Sequence, residues 1–197
     1  MLVKLIAALM LFADLTVVNA IIAPRTAAED FAINSFGRTD SIYVRIAEAI
    51  LQPETKMPRE DDKGLATRYG TPGDKWLSGP LACGDGSQTI WNTQNVCAHR
   101  FLPCGTLLIV ENLRTDQRTW CKVWDRGPYG AYVYDESGNR KWVVKKRRGD
   151  PGEWRGILDM SPDVSLSMGH NGFEKVRFWT ERRLKRIWER NRPVPDV

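Results

Sequence analysis

Thr106-Leu107-Leu108-Ile109-Val110-Glu111-Asn112-Leu113 and Gln117-Arg118-Thr119-Trp120-Cys121-Lys122-Val123-Trp124 are two short runs rich in β-forming residues, separated only by Arg114-Thr115-Asp116. Such runs joined by a short polar connection predict a β-hairpin. C-terminal to it, Tyr132-Val133-Tyr134 and Lys141-Trp142-Val143-Val144 flank Glu136-Ser137-Gly138-Asn139, whose residues suit a tight turn, so a second hairpin is expected. Gly156-Ile157-Leu158-Asp159-Met160 reads as a further short strand. Ser161 and Pro162 then supply a helix cap and first-turn proline, and the helix should stop near Gly169. Glu174-Lys175-Val176-Arg177-Phe178-Trp179 alternates and closes the set. Many short strands, one short helix and Gly/Pro-rich turns predict an all-β fold, a small closed barrel.

The flanks have different patterns. In residues 21–63, apolar residues at 42, 43, 46, 49 and 50 suit one face of an amphipathic helix, and Gln52 to Lys63 turns to proline and charge without period, as a linker does. Residues 180–197 are a basic helical tail ended by Pro193 and Pro195. Residues 1–20 have the layout of an export signal: Lys4, an apolar stretch from Leu5 to Ala13, then Val18-Asn19-Ala20 as a small-residue cleavage site. Asp14 interrupts the apolar run, which falls short of the roughly 20 residues that span a bilayer. Membrane contact is therefore expected only through this N-terminal segment, and no Cys precedes position 83 to carry a lipid.

Of the 197 residues 42% are apolar and 27% charged, the balance of an ordinary globular chain with one core. Eight Trp suit sugar or protein contact as well as core packing. The net charge of +5 favours an anionic partner. Its basic residues cluster at 140–148 and 177–192 without any nucleic-acid motif, so specific nucleic-acid binding is not expected. Cys83, Cys97, Cys104 and Cys121 make an even set that predicts two disulfides in an exported domain, with all three pairings open. Their spacings lack the Cys-x-x-Cys knuckles of zinc sites, and no metal or other cofactor is expected.

The chemistry is expected at Asp125-Arg126-Gly127-Pro128-Tyr129-Gly130, directly after a strand rich in Val and Trp. A carboxyl leaving such a strand beside aromatic rings can be kept protonated by desolvation, as a general acid needs. The plainer alternative is a turn aspartate that binds backbone amides. His99, followed by Arg100-Phe101-Leu102-Pro103-Cys104-Gly105, and His170 are the chain's two histidines, and each has a structural alternative as a hydrogen-bonded ring. No Ser or Cys nucleophile motif is present.

Taken in order, Gly64-Leu65-Ala66-Thr67-Arg68-Tyr69-Gly70, Ala98-His99-Arg100-Phe101-Leu102-Pro103-Cys104-Gly105-Thr106, Val123-Trp124-Asp125-Arg126-Gly127-Pro128-Tyr129 and Arg155-Gly156-Ile157-Leu158-Asp159-Met160-Ser161 resemble the rare lipoprotein A family of double-psi β-barrels. The resemblance covers about 115 of the 197 residues and implies an all-β, six-stranded double-psi barrel over residues 64–179 with an inserted hairpin at 131–154. It implies a lytic transglycosylase that cuts the β-1,4 bond from N-acetylmuramic acid to N-acetylglucosamine in peptidoglycan glycan strands without water. Asp125 matches the family's functional Asp and His99 its functional His. Asp125 would protonate the leaving oxygen, then accept the proton of the muramyl C6 hydroxyl as the 1,6-anhydro ring closes. One acid suffices for that route, unlike the two-carboxylate glycosidases. His99 would orient or polarise the substrate, or hold Asp125. Tyr69, Arg126, Tyr129 and Asp159 are the expected substrate-side residues, Asp159 in a supporting place.

Two features depart from the family. The 131–154 insertion is a lid or glycan-gripping arm, or a solvated decoration; Leu81-Ala82-Cys83-Gly84 is similar to the barwin and expansin branches, some of which bind glycan without cutting. Three functions therefore stand: a transglycosylase exported to the periplasm, envelope or extracellular space, or carried in a phage virion; a non-catalytic expansin-like glycan binder; and a structural virion component that meets other phage proteins. In the virion readings the segment 1–20 would be retained and packed.

Overall fold

The computed structural model describes residues 26–38, 40–70, 79–90, 92–145, 150, 152–154 and 156–191. The expected export segment, Arg155 and the end of the basic tail lie outside these residues. The chain divides into two compact units, Met1–Ala47 and Glu48–Val197.

In the first unit, helix α1 (Ala27–Phe36) opens on a capping box: the Thr26 side chain accepts from the Glu29 amide, and the Glu29 carboxylate accepts from the Thr26 amide. Gly37 ends it in the left-handed region, at φ 65°. Helix α2 (Ser41–Leu51), the expected amphipathic helix, runs through the division between the units at Ala47 and Glu48 and buries Tyr43, Ile46, Ala47, Ala49 and Ile50. No helix among the described residues is long and apolar enough to cross a membrane.

The second unit holds a closed six-stranded barrel. Its strands are β1 (Asp62–Arg68), β2 (Val96–Ala98), β3 (Leu107–Asn112), β4 (Arg118–Asp125), β8 (Leu158–Met160) and β9 (Phe173–Thr180), in the order β1-β8-β2-β4-β3-β9. Strands β1 and β8 run parallel, as do β2 and β4; every other neighbouring pair is antiparallel. The expected hairpin is β3–β4, paired from Leu107 with Lys122 to Glu111 with Arg118. Alternation sends Leu108, Val110, Cys121, Val123, Val176 and Phe178 into one core with Ala66, Cys97, Leu158 and Met160. The opposite face of β3 and β9 is also buried: Ile109 pairs with Trp179, and helix α4 (Glu181–Arg190) packs beside both strands with its Leu184 buried.

Three expectations are refined. Residues 52–61 are tied down rather than free, because Trp179 Nε1 donates to Pro58 O at 2.8 Å, Thr180 N to an Asp61 carboxylate oxygen at 2.6 Å, and Arg183 to Glu60 O at 3.0 Å. Helix α3 (Pro162–Ser167) starts with proline as expected, but Ser161 makes no side-chain cap; its hydroxyl accepts from Val96 N at 3.2 Å and so joins α3 to β2. The insertion contains the expected hairpin, β5 (Gly130–Tyr134) with β6 (Arg140–Val144), and adds β7 (Glu153–Trp154) on the far edge of β5 to make a three-stranded sheet.

Both disulfides form, as Cys83–Cys104 and Cys97–Cys121. The second lies wholly in the core beside β2 and β4, while the first joins the loop before β2 to the turn after it.

Candidate functional site

Asp125 is the last residue of β4, where the strand leaves the barrel. Three segments converge on it. Its Oδ1 accepts from Arg126 N at 2.8 Å and from Ala82 N at 3.1 Å, and its carbonyl accepts from His99 N at 3.2 Å. The Leu81–Gly84 loop is held there by Cys83 N, which donates to Trp124 O at 3.0 Å, and by the Cys83–Cys104 disulfide. Beneath it, Leu81, Ile90 and Val96 form a small apolar cluster with Tyr69 and Trp124.

Tyr69 follows β1, and its backbone N donates to Met160 O at 3.0 Å. Its buried hydroxyl meets no acceptor in good hydrogen-bond geometry, although Asp125 and Asp159 both act on it electrostatically. Burial first, then those two carboxylates, push the phenol far above its ordinary pKa, so it stays a protonated donor beside Asp125. Asp159, in β8, is buried opposite Thr67 of β1 and Ala98 of β2. Its Oδ2 lies 3.4 Å from where a side chain on Gly127 would begin. Gly127 has φ 152°, which glycine adopts without strain, and the following bond to Pro128 is cis. The sequence thus brings Asp125, Tyr69 and Asp159 to one end of the barrel.

His99 and Arg126 take a different part. His99 is 8% exposed, and its Nδ1 accepts from Phe101 N at 3.1 Å and Leu102 N at 2.9 Å. Burial, then the charges of Arg100 and Arg126, lower its pKa to about 4. No hydrogen bond or ion pair joins its ring to the Asp125 carboxylate; the ring packs edge-on to Phe178, with centroids 5.7 Å apart. The Arg126 guanidinium donates to His99 O at 3.1 Å, to Leu102 O, and to Cys104 Sγ at 3.0 Å. These two residues therefore shape the 99–104 turn and bolt it to the Asp125 loop. Tyr129, at the entry to the insertion, has its carbonyl taken by Lys145 N at 2.7 Å. His170 lies in the α3–β9 loop, buried, with Nδ1 accepting from Gly172 N at 3.0 Å.

Arg100 was not singled out by its sequence context, yet it holds the site together. It donates to Pro128 O at 2.8 Å and Gly156 O at 2.6 Å, joining the 99–104 turn to the Asp125 loop and to the approach to β8. Gly156 is itself required there, since a Cβ would stand 2.7 Å from Leu65 O. The guanidinium also lies 4.1 Å from the centroid of Trp154. Among the described residues, no group of His, Cys, Asp and Glu side chains is arranged to hold a metal ion.

A stretch of 32 residues is 59% identical to a protein of Aquifex aeolicus (strain VF5) described as "Probable endolytic peptidoglycan transglycosylase RlpA". The match covers 16% of this chain and 14% of that protein. No protein-family model matches the chain.

Proposed function

We propose that the chain is an exported peptidoglycan lytic transglycosylase built on a double-psi β-barrel, with Asp125 as its single acid and base. The observation that carries this is the carboxylate at the mouth of the barrel, anchored through one oxygen by two backbone amides and flanked by a protonated phenol. The closed barrel with two parallel strand pairs suits the double-psi crossing, the local identity to a transglycosylase suits the activity, and two disulfides suit an oxidising compartment.

The two amides on Oδ1 fix the orientation of the carboxyl group and leave Oδ2 available for the chemistry. Oδ2–H protonates the glycosidic oxygen as its bond to muramyl C1 breaks. The C6 oxygen then bonds to C1, and its proton passes to Asp125, so the acid is restored and no water is consumed. Tyr69 stabilises the carboxylate formed between these steps, and Asp159 balances the Arg100 charge that fixes the loop. His99 and Arg126 are positioning residues acting through the 99–104 turn.

The test is digestion of purified peptidoglycan by residues 21–197 and by Asp125→Asn, with products identified by mass spectrometry. Anhydromuramyl fragments from the wild type, reduced at least about 100-fold in the variant, are expected. Equal release by both proteins would remove Asp125 from the chemistry. A second reading rests on the same two amide bonds, which also satisfy a turn aspartate: the barrel then holds glycan without cutting it. Sedimentation with cell walls and no fragments from either folded protein would establish that reading instead.

A further inference from the structure

The three-stranded insertion ends at Trp154, and that ring reaches back to the 99–104 turn. Two cations lie near it, the Arg100 guanidinium at 4.1 Å and the Lys145 ammonium at 5.2 Å from its centroid. Lys145 is held in turn by its backbone donation to Tyr129 O and by its ammonium on Asp150 O. Trp154 meets Phe101 edge to face, with centroids 6.3 Å apart and planes at 77°. His99 meets the same Phe101 at 6.4 Å and 78°, and the Phe101 amide donates to His99 Nδ1. The Arg100 guanidinium lies 5.7 Å from the Phe101 centroid.

Phe101 is nevertheless 52% exposed. An isolated exposed Phe needs no explanation. This one is different in being braced by two rings, a guanidinium and a hydrogen bond while half of its surface stays open. Its turn is also bolted to the acid, because Arg126, the residue next to Asp125, donates to the carbonyls on both sides of Phe101, at His99 and Leu102. A pre-organised aromatic surface loses little entropy on binding. The axial C–H groups of a pyranose give it an apolar face that stacks on an aromatic ring, and the glycan strand of the proposed substrate offers such faces repeatedly.

We propose that Phe101, on the turn tied to the Asp125 loop and braced by Trp154 of the insertion, is a sugar-stacking platform that binds one pyranose ring of the glycan strand. The inference rests on the proposed glycan substrate but not on catalysis. The insertion thereby acquires a role, since β7 carries the ring that fixes the angle of Phe101. A bound sugar on Phe101 would register the strand along the barrel mouth relative to the acid.

The test uses the full-length Asp125→Asn protein and measures binding of soluble peptide-stripped glycan strands by calorimetry. Adding Phe101→Ala is expected to weaken binding about fivefold to tenfold, Phe101→Trp to restore it, and Trp154→Ala to weaken it about threefold, on the scale of aromatic-pair energies. Unchanged affinity in Phe101→Ala, or no measurable binding in the parent, overturns the platform. In otherwise wild-type protein Phe101→Ala should raise KM and leave kcat within about twofold. If affinity falls in Phe101→Ala while the wild type releases no anhydro products, the platform stands and the transglycosylase reading falls. If products form and affinity does not depend on Phe101, the opposite holds.

Discussion

Because the His99 Nδ1 accepts two backbone N–H bonds, Nε2 must carry the ring proton, and the neutral tautomer is the one that shapes the turn. A charged ring there would be desolvated by burial and would face the Arg100 and Arg126 charges, which lowers its pKa from 6.5 to about 4. Below 6.5 the unfolded chain binds a proton there that the folded chain refuses until about pH 4. Stability is therefore present above pH 6.5 and lost as the pH falls through that window, by at most about 3 kcal/mol. His170, lowered mainly by burial, adds to the slope in the same direction. His99→Asn keeps an oxygen acceptor near the Nδ1 position and does not titrate. Urea unfolding at about pH 7 and about pH 4.5 should show a smaller stability loss for the variant than for the wild type; equal losses would remove His99 as a source of the slope. At this scale the position of Asp125 was legible, since a strand-to-turn boundary is a local pattern. A hydrogen-bonded ring was one of the two readings open for His99, but which backbone atoms His99 and Arg126 hold was not legible, because their neighbours in sequence do not reveal what comes within reach.

Among the elements, β3 shows how a hairpin depends on a third strand. Glu111 is 1% exposed and stands directly opposite Arg118 of β4 and Arg177 of β9. Its carboxylate accepts from Arg118 Nε at 2.7 Å and from Arg177 Nε at 2.8 Å. Arg118 then donates to Ala49 O and Thr55 O, both at 2.9 Å, tying the end of α2 and the following segment to the barrel. Removing one member of a buried ionic group leaves charge uncompensated. Glu111→Gln should lower the unfolding free energy by about 3–5 kcal/mol in denaturant titration. A loss under about 1 kcal/mol would mean that the arginines find other partners or water. The β3–β4 hairpin was readable from its composition and turn. The burial of Glu111 was not legible, because its second arginine partner, Arg177, lies far along the chain in β9.

For the whole molecule, the two disulfides divide the work. Cys97–Cys121 is buried in the barrel core, whereas Cys83–Cys104 holds the Leu81–Gly84 loop whose Ala82 amide donates to Asp125. Replacing Cys97 and Cys121 together by Ser should cost about 2–4 kcal/mol of global stability. Replacing Cys83 and Cys104 should chiefly speed hydrogen exchange at the Ala82 amide by local opening. If the two pairs give the same global loss and no local change at Ala82, the loop is not held by its disulfide. Hairpins, the helix-starting proline, the C-terminal helix and the even cysteine count were determined by the sequence alone, because residue period and turn chemistry act over a few neighbours. Only the tertiary structure decided which cysteines pair, that β1 lies parallel to β8 and antiparallel to β9, and that Trp154 meets Phe101 edge to face. Those contacts join segments far apart in the chain, and their partners are chosen by closing one barrel around one core, a condition no local pattern contains.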